Sequence, residues 1–349
     1  MRVALVSFET TRHEDTVGTR RIERIARSLA ERGHEVTVFC SQWWDDYRDE
    51  FVVDGVRYRG VTYGTALSSF CARLPALLAA YRPDVIHAYV VPPQQVLAAL
   101  TGSRLARAPL AVEWYGTEDI DEGDRLTGIV TSRPDRIITP SELVRTQVRE
   151  YGGTEANTTT IPESIDFSLT TTVEPADDVD VVYAHRLDET ANLDDLLLGL
   201  AELRERDWQA TVVGDGPLRD EYESEAAKLR IDDRVRFVGD CDRRRRVSLY
   251  RGAHAFVQTA LREQFPTELL WALACGCVGI VEYQTESSAH ELIEHYERSY
   301  RATSPQQIAE AITDAGEFSH RTTDDEWERF DHHAVIERYL DEYRQMQSV

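Results

Sequence analysis

Short apolar runs alternate with amphipathic stretches along most of this chain. VALVSF (3–8) reads as a buried strand, followed by a polar loop to Val17-Gly18. Ile22, Ile25, Ala26 and Leu29 then recur at helical spacing across 19–32, and Gly33 ends that helix. VTVFC (36–40), DVIHAY (84–89), PLAVEWYG (109–116) and DRIITP (135–140) continue the strand series, and Ser141 caps a helix running to Arg149. Residues 168–180 (SLTTTVEPADDVD) are polar, β-branched and acidic, a linker composition. The same grammar then restarts, with strands near 181–185, 210–214, 235–239, 255–259 and 278–283. Strand–helix alternation of this kind predicts parallel sheets covered by helices on both faces. The pattern predicts two domains, 1–167 and 181–323, joined by the linker at 168–180 and separated by a cleft. A charged tail, 324–349, is expected to be helical and to pack back on the N-terminal domain through Phe330, Val335, Ile336, Tyr339 and Leu340.

Charge sharpens this picture. The 349 residues hold 39 basic and 62 acidic side chains, a net charge of −23. Lys228 is the single lysine, so arginine supplies nearly all the positive charge. Acidic excess with so little lysine predicts a cytoplasm of very high salt, as in halophilic archaea, where salt screens carboxylate repulsion. Such a surface is a poor match for nucleic acid, whose phosphates need basic contacts. The five cysteines have neither zinc spacing nor a paired framework, so buried thiols in a reducing cytosol are expected. No secretory leader and no membrane-spanning segment is expected either.

Candidate chemistry concentrates between 181 and 291. One strand runs into Arg186 (VVYAHRLDE), one into a Gly-Asp-Gly-Pro turn at 214–217, and one into an acidic loop that opens a helix at Glu263 (REQFPTELLWALACG). Loops of this kind aim at helix N-termini, whose unpaired N–H groups and partial positive charge suit a diphosphate. Each residue also has a plainer reading. The plainer reading of Arg186 is an arginine of a structural ion pair, and that of Glu263 a carboxylate answering a helix dipole; the motif order favours the site roles. His87, His185 and the His332–His333 pair lack a third metal ligand, which makes them core or surface histidines. Arg243 to Arg246 read as a solvated helical run. Arg20, Arg24 and Arg27 share a face of the first helix and suggest peripheral contact with an anionic lipid surface.

The order of these motifs resembles the retaining GT-B glycosyltransferases, family 4 in particular, over nearly the whole chain. RVALVSF and ERGHEVTVF resemble that family's opening, and RPDVIHAY and DRIITPSELVRTQVREYG its later N-domain strands. HRL, VVGDGPLRDE, DRVRFVGD, AHAFVQTA and the Glu263 helix resemble its C-terminal half. The resemblance implies an α/β GT-B fold, two Rossmann-like doubly wound domains facing each other across a cleft. It implies that Gly18 lies near the donor phosphates and that Arg186 pairs with the diphosphate. Gly214 and Gly216 would flank the donor, Val238 and Asp240 would line the nucleobase slot, and Glu263 would touch the transferred sugar. Gln264, Phe265, Pro266 and Thr267 would meet the diphosphate, with Tyr115, Glu268 and Glu291 as further candidates.

Several positions depart from the family. Its lysine, five residues past the arginine, falls on Ala191, and its second glutamate falls on Trp271. Its N-domain histidine falls on Tyr115, the asparagine of its hinge turn falls on Glu163, and Pro266 lacks an N–H. Trp271 reads as a core tryptophan or a stacking platform, and Glu268, one turn earlier, as a substitute ribose acceptor.

The resemblance therefore implies a glycosyltransferase that moves a sugar from a nucleotide-sugar co-substrate to a saccharide or lipid-linked acceptor hydroxyl. Retention of configuration, no obligatory metal and no cofactor are expected. The setting is cytoplasmic, at the inner face of the membrane, in surface-glycan, N-glycan or glycolipid assembly. The alternative is a catalytically weak relative that scaffolds an active transferase.

Overall fold

The structure, a computed structural model, describes residues 1–45, 48–118, 120 and 125–348. The chain divides into two compact units, Met1–Glu163 with His332–Val349, and Ser164–Asp331.

Unit 1 is built on eight strands: β1 (Arg2–Val6), β2 (Glu35–Gln42), β3 (Glu50–Val53), β4 (Val56–Tyr63), β5 (Val85–Tyr89), β6 (Leu110–Glu113), β7 (Arg136–Thr139) and β8 (Thr158–Thr160). Their order is β3-β4-β2-β1-β5-β6-β7-β8, parallel except for the β3–β4 hairpin. That hairpin closes on Asp54-Gly55, both at positive φ, a two-residue turn whose twist suits antiparallel strands. Alternation along β1 sorts the core. Val3 and Leu5 face α1 (Val17–Glu31), whereas Ala4 and Val6 join the layer holding α2 (Leu67–Tyr81) and α3 (Pro93–Ala106). The short helices α4 (Arg125–Ser132) and α5 (Glu142–Glu150) follow β6 and β7.

Unit 2 carries a six-stranded parallel sheet. Its strands are β9 (Val181–Ala184), β10 (Ala210–Val213), β11 (Val235–Gly239), β12 (Ala255–Gln258), β14 (Val278–Glu282) and β16 (Ser299–Ala302). The order is β11-β10-β9-β12-β14-β16. A small parallel pair, β13 (Arg262–Glu263) with β15 (Glu286–Ser287), stands apart from it. The helices are α6 (Leu169–Thr172), α7 (Leu193–Glu202), α8 (Arg219–Lys228), α9 (Arg243–Gly252), α10 (Thr267–Ala274), α11 (Ala289–Ile293) and α12 (Pro305–Ala315). The predicted α/β class with parallel sheets in two domains is what the chain adopts.

Two stretches differ from expectation. The segment 168–180 belongs to unit 2 and contains α6. Its Ala176 N–H donates to Ser248 of α9 at 2.8 Å, and Val173 and Val179 are buried. Composition alone hid those anchors. The tail is not one helix from 324: Asp325–Phe330 forms a 3-10 turn in unit 2, and α13 (His332–Gln347) starts afresh in unit 1. Phe330 therefore lies outside the stripe, whereas Val335, Ile336, Tyr339 and Leu340 are buried along α13.

A buried ion network joins these parts of unit 1. Arg21 of α1 is 2% exposed and donates to Glu113 at 2.6 Å, Glu163 at 2.8 Å, the Ile161 carbonyl at 2.6 Å and the Tyr339 hydroxyl at 2.7 Å. His87 Nε2 lies 3.1 Å from Glu113, and its Nδ1 lies 2.6 Å from Tyr343 Oη. Burial alone would raise the Glu113 carboxyl, but Arg21 and His87 hold it below its usual range. The other arginines of α1 are engaged too: Arg20 with Asp15 at 2.8 Å, Arg24 with Glu163 at 2.8 Å, Arg27 with Glu23 at 3.1 Å. The arginines read from the sequence as a lipid-facing stripe thus each hold an ion pair, Arg24 with buried Glu163 and Arg20 and Arg27 at the surface.

Removing the central cation leaves buried Glu113 with only His87 and Glu163 with only Arg24, and breaking a buried pair in this way costs about 3–5 kcal/mol. Arg21→Met is expected to lose that much stability in urea unfolding at molar KCl. A loss below about 1 kcal/mol, the scale of a surface pair, would contradict the network's role.

Candidate functional site

Sheet order sets where unit 2 can bind a ligand. The first and fourth strands in sequence, β9 and β12, are neighbours, and the connections leaving them diverge to opposite sides. Crevices for ligands form outside the carboxyl ends of strands at such a switch point.

Two loops meet there. The loop after β9, His185 to Asn192, is lashed to the loop after β12. Thr259 Oγ1 donates to the Asn192 carbonyl at 2.7 Å, and Leu261 N–H donates to the Thr190 carbonyl at 2.9 Å. From the other side the Gly-Asp-Gly turn supports residues 185–187: Leu187 N–H donates to the Asp215 carbonyl at 3.1 Å. A Cβ on Gly214 would stand 2.0 Å from the His185 carbonyl oxygen, and one on Gly216 2.2 Å from that of Leu187. Gly214 also has φ +123°. These glycines are required by the backbone they carry, so within this unit they position the arginine loop.

Glu263 reaches the same place. It pairs with Ser287 in the β13–β15 ladder, and its carbonyl accepts from Ser288 N–H, just past β15, at 2.8 Å. Its carboxyl oxygen Oε2 lies 3.7 Å from His185 Nε2 and 3.4 Å from Gln258 Nε2. Burial, and then the charge of Glu268, push the Glu263 carboxyl up to about 8, while Gln258 opposes them. Arg186 points elsewhere. Its side chain is 70% exposed, and Nε lies 3.3 Å from Asp188 Oδ2. Burial would raise the Asp188 carboxyl, but the Thr190 hydrogen bonds, with the Arg186 charge beside them, bring it below its usual range.

The remaining candidates fall into four groups. Gln264 and Thr267 are partly buried at the start of α10, and Phe265 and Pro266 are buried there. Val238 is partly buried near the end of β11, where Gly239 bridges to Gly214, and the Asp240 carboxylate is largely exposed. Glu291 is half-buried in α11. Gly18 and Tyr115 belong to unit 1. A Cβ on Gly18 would meet Tyr89 Oη at 2.2 Å, so Tyr89 fills the space that this glycine opens. Tyr115 is buried, and its N–H donates to Glu118 at 2.8 Å.

Glu268 is not available as a ribose acceptor. Arg243 donates to its two oxygens at 2.8 and 2.9 Å, Arg246 at 2.9 Å and Tyr250 at 2.5 Å. A carboxylate has about four lone-pair sites, and here all are used. Arg243 and Arg246 are accordingly not a solvated run. Helical spacing at i and i+3 turns both toward α10, and the Arg243 guanidinium stacks over the Trp271 ring at 5.0 Å. Trp271 is 5% exposed, a core residue of α10. Ala191 is fully buried, with its carbonyl accepting from the Tyr183 hydroxyl at 2.7 Å.

Sequence reasoning passed over two members of the cluster, His185 and Gln258. Both stand at the carboxyl ends of neighbouring strands, and a strand-end position beside the switch point was the available signal.

The raised Glu263 carboxyl has a thermodynamic signature. A carboxyl whose folded pKa exceeds its unfolded value binds an extra proton on folding between the two, so stability falls as pH rises from about 4.5 and levels off near 8. Glu263→Gln lacks that loss. Its stability relative to the parent should climb between pH 5 and 8 and then stay flat; a difference constant across this range would contradict the assignment.

Comparison with known proteins agrees with this architecture. A family model described as "Glycosyl transferases group 1" matches residues 166–321, and one described as "Glycosyl transferase 4-like domain" matches 18–163. No curated relative matches at a significant level. Among solved structures, sucrose-phosphate synthase from Thermosynechococcus elongatus is 18% identical with a TM-score of 0.72, covering 99% of each chain. HepE from Anabaena in complex with UDP is 17% identical with a TM-score of 0.75, covering 99% of this chain and 100% of its own. The lipopolysaccharide outer core galactosyltransferase WaaB, in its apo form, is 17% identical with a TM-score of 0.71, covering 98% of each chain.

Proposed function

The chain belongs to the group 1 glycosyltransferases, with a GT-B fold, and on that premise we propose that it transfers a sugar from a nucleotide-sugar donor held by unit 2 to an acceptor hydroxyl presented by unit 1. The observation that carries this reading is the switch point of unit 2, where the Arg186 loop and Glu263 emerge from neighbouring strands. UDP in the Anabaena relative makes a uridine nucleotide the first donor to test.

In this reading Arg186 exchanges Asp188 for the donor diphosphate. Its exposed guanidinium offers a two-pronged fork to phosphate oxygens, and Asp188 keeps its Thr190 hydrogen bonds when the arginine leaves. The start of α10 adds backbone N–H groups and the positive end of a helix dipole. The Glu263 carboxyl meets the transferred sugar. Hexosyl transfer with retention, without an obligatory metal, follows the family pattern. The acceptor is a saccharide or a lipid-linked saccharide, as in surface-glycan, N-glycan or glycolipid assembly.

The proposed setting is the cytoplasm of a halophilic archaeon. The strongly acidic, lysine-poor composition and the five unpaired cysteines support it. Among the described residues no helix is long and apolar enough to cross a membrane. A non-catalytic scaffolding role has one observation in its favour: buried Trp271 and Ala191 supply neither the carboxylate nor the ammonium that the family pattern carries there.

Calorimetry and a transfer assay in molar KCl with EDTA separate the two. The transferase should bind UDP, and Arg186→Ala should weaken binding at least about tenfold, the scale of one charge-assisted hydrogen bond. Transfer from a UDP-hexose should give a product whose anomeric configuration matches the donor. Nucleotide binding without turnover on any nucleotide sugar would favour the scaffold. Absence of binding to every nucleoside diphosphate would overturn the donor site.

A further inference from the structure

His185 and Glu263 face each other in a way that fixes the state of a proton. His185 Nδ1 lies 2.7 Å from the Arg186 carbonyl oxygen, which can only accept. Nδ1 therefore carries a hydrogen and donates it. In a neutral imidazole the other nitrogen, Nε2, is then a lone pair. That nitrogen lies 3.7 Å from Glu263 Oε2. A lone pair and a carboxylate oxygen facing each other in a partly buried site repel unless one proton lies between them.

The surroundings supply no cation to take the proton's place. Gln258 offers a neutral amide from β12. Glu268, from α10, is a carboxylate already held by Arg243 and Arg246. Tyr183 of β9 is fully buried, and burial pushes its phenol up, so it stays neutral. Arg262, beside Glu263 in β13, turns outward onto Glu286 at 2.5 Å. Arg186 sits on Asp188.

We propose that His185 is a positioning residue that keeps one proton on Glu263, so that this carboxyl meets an anionic diphosphate sugar as a neutral hydrogen-bond donor instead of as a second negative charge. The consequence for a donor rests on the transferase reading above; the proton itself does not. With the proton in place, the Arg186 and Asp188 charges cancel and Glu263 adds none. Without it, these three side chains carry a net negative charge against an incoming diphosphate.

The proton is read directly by carboxyl-carbon NMR on the whole chain in molar KCl, with labelled glutamate and the Glu263 signal identified by its loss in Glu263→Gln. In the parent, Glu263 should titrate above pH 7. In His185→Gln, whose amide can donate to the carboxylate, the midpoint should fall by about one pH unit or more, a tenfold loss of proton affinity. An unchanged midpoint, or a parent midpoint near that of an ordinary glutamate, overturns the proposal. Ring nitrogen shifts of the unsubstituted protein keep it testable if His185→Gln fails to fold. They should show Nδ1 carrying the hydrogen it donates to the Arg186 carbonyl; a bare Nδ1 contradicts it. Failure of the transferase reading shows separately, as no binding of UDP or any other nucleoside diphosphate while these titrations stay as described.

Discussion

Neighbouring parallel strands whose outgoing connections diverge leave their carboxyl ends uncovered, and unit 2 depends on that constraint. The sheet order puts β9 beside β12, and nothing in the connectivity can roof the gap between them. Everything proposed for the site sits on the rim of that gap. The Gly-Asp-Gly turn after β10 carries the 185–187 backbone at a distance that excludes side chains at Gly214 and Gly216. Thr259 and Leu261 hold the same loop from the β12 side. The chemical groups are thus mounted on backbone contacts that the sheet itself dictates, and the side chains at the rim are left to differ.

Electrostatics divides this rim into a saturated part and an open part. Around Glu268, two guanidiniums and a phenol fill the carboxylate's hydrogen-bonding capacity. That cluster packs α9 onto α10 and stacks on Trp271, so it is structural. Around Glu263 the balance is incomplete. The carboxyl is withdrawn from water with the Glu268 charge nearby, and these keep its proton affinity high against the Gln258 amide. Unit 1 shows the saturated extreme. Arg21 is buried among two carboxylates, a carbonyl and a hydroxyl, and it ties α1 to β6, to α13 and to Glu163, where the unit's first segment ends. A protein this acidic uses arginine, with its five fixed donors, where several acceptors must be met at once.

The fold was largely legible because buried parallel strands read as continuous apolar runs, and VVYA, ATVV and VGIVE are such runs. The β3–β4 hairpin was missed although VVDGVRY contains its Asp-Gly turn, because the surrounding polar residues broke the strand pattern. The segment 168–180 looked like a linker since its few anchoring residues, Thr170, Val173 and Val179, are diluted among polar ones. At the site, Glu263 could be found from its place before a helix. The meaning of the arginine run could not: whether Arg243 is solvated depends on Glu268, 25 residues later, lying across from it. His185 was discounted for want of metal ligands, when its actual neighbour is a carboxyl brought alongside by sheet order.

Hydrogen exchange with and without UDP, in molar KCl, tests the central claim most directly. If unit 2 binds the donor at its switch point, protection should concentrate in peptides covering 185–192 and 259–267, and those covering α12 should be unchanged. Protection confined to other segments, with both of these loops exchanging as before, would contradict the account.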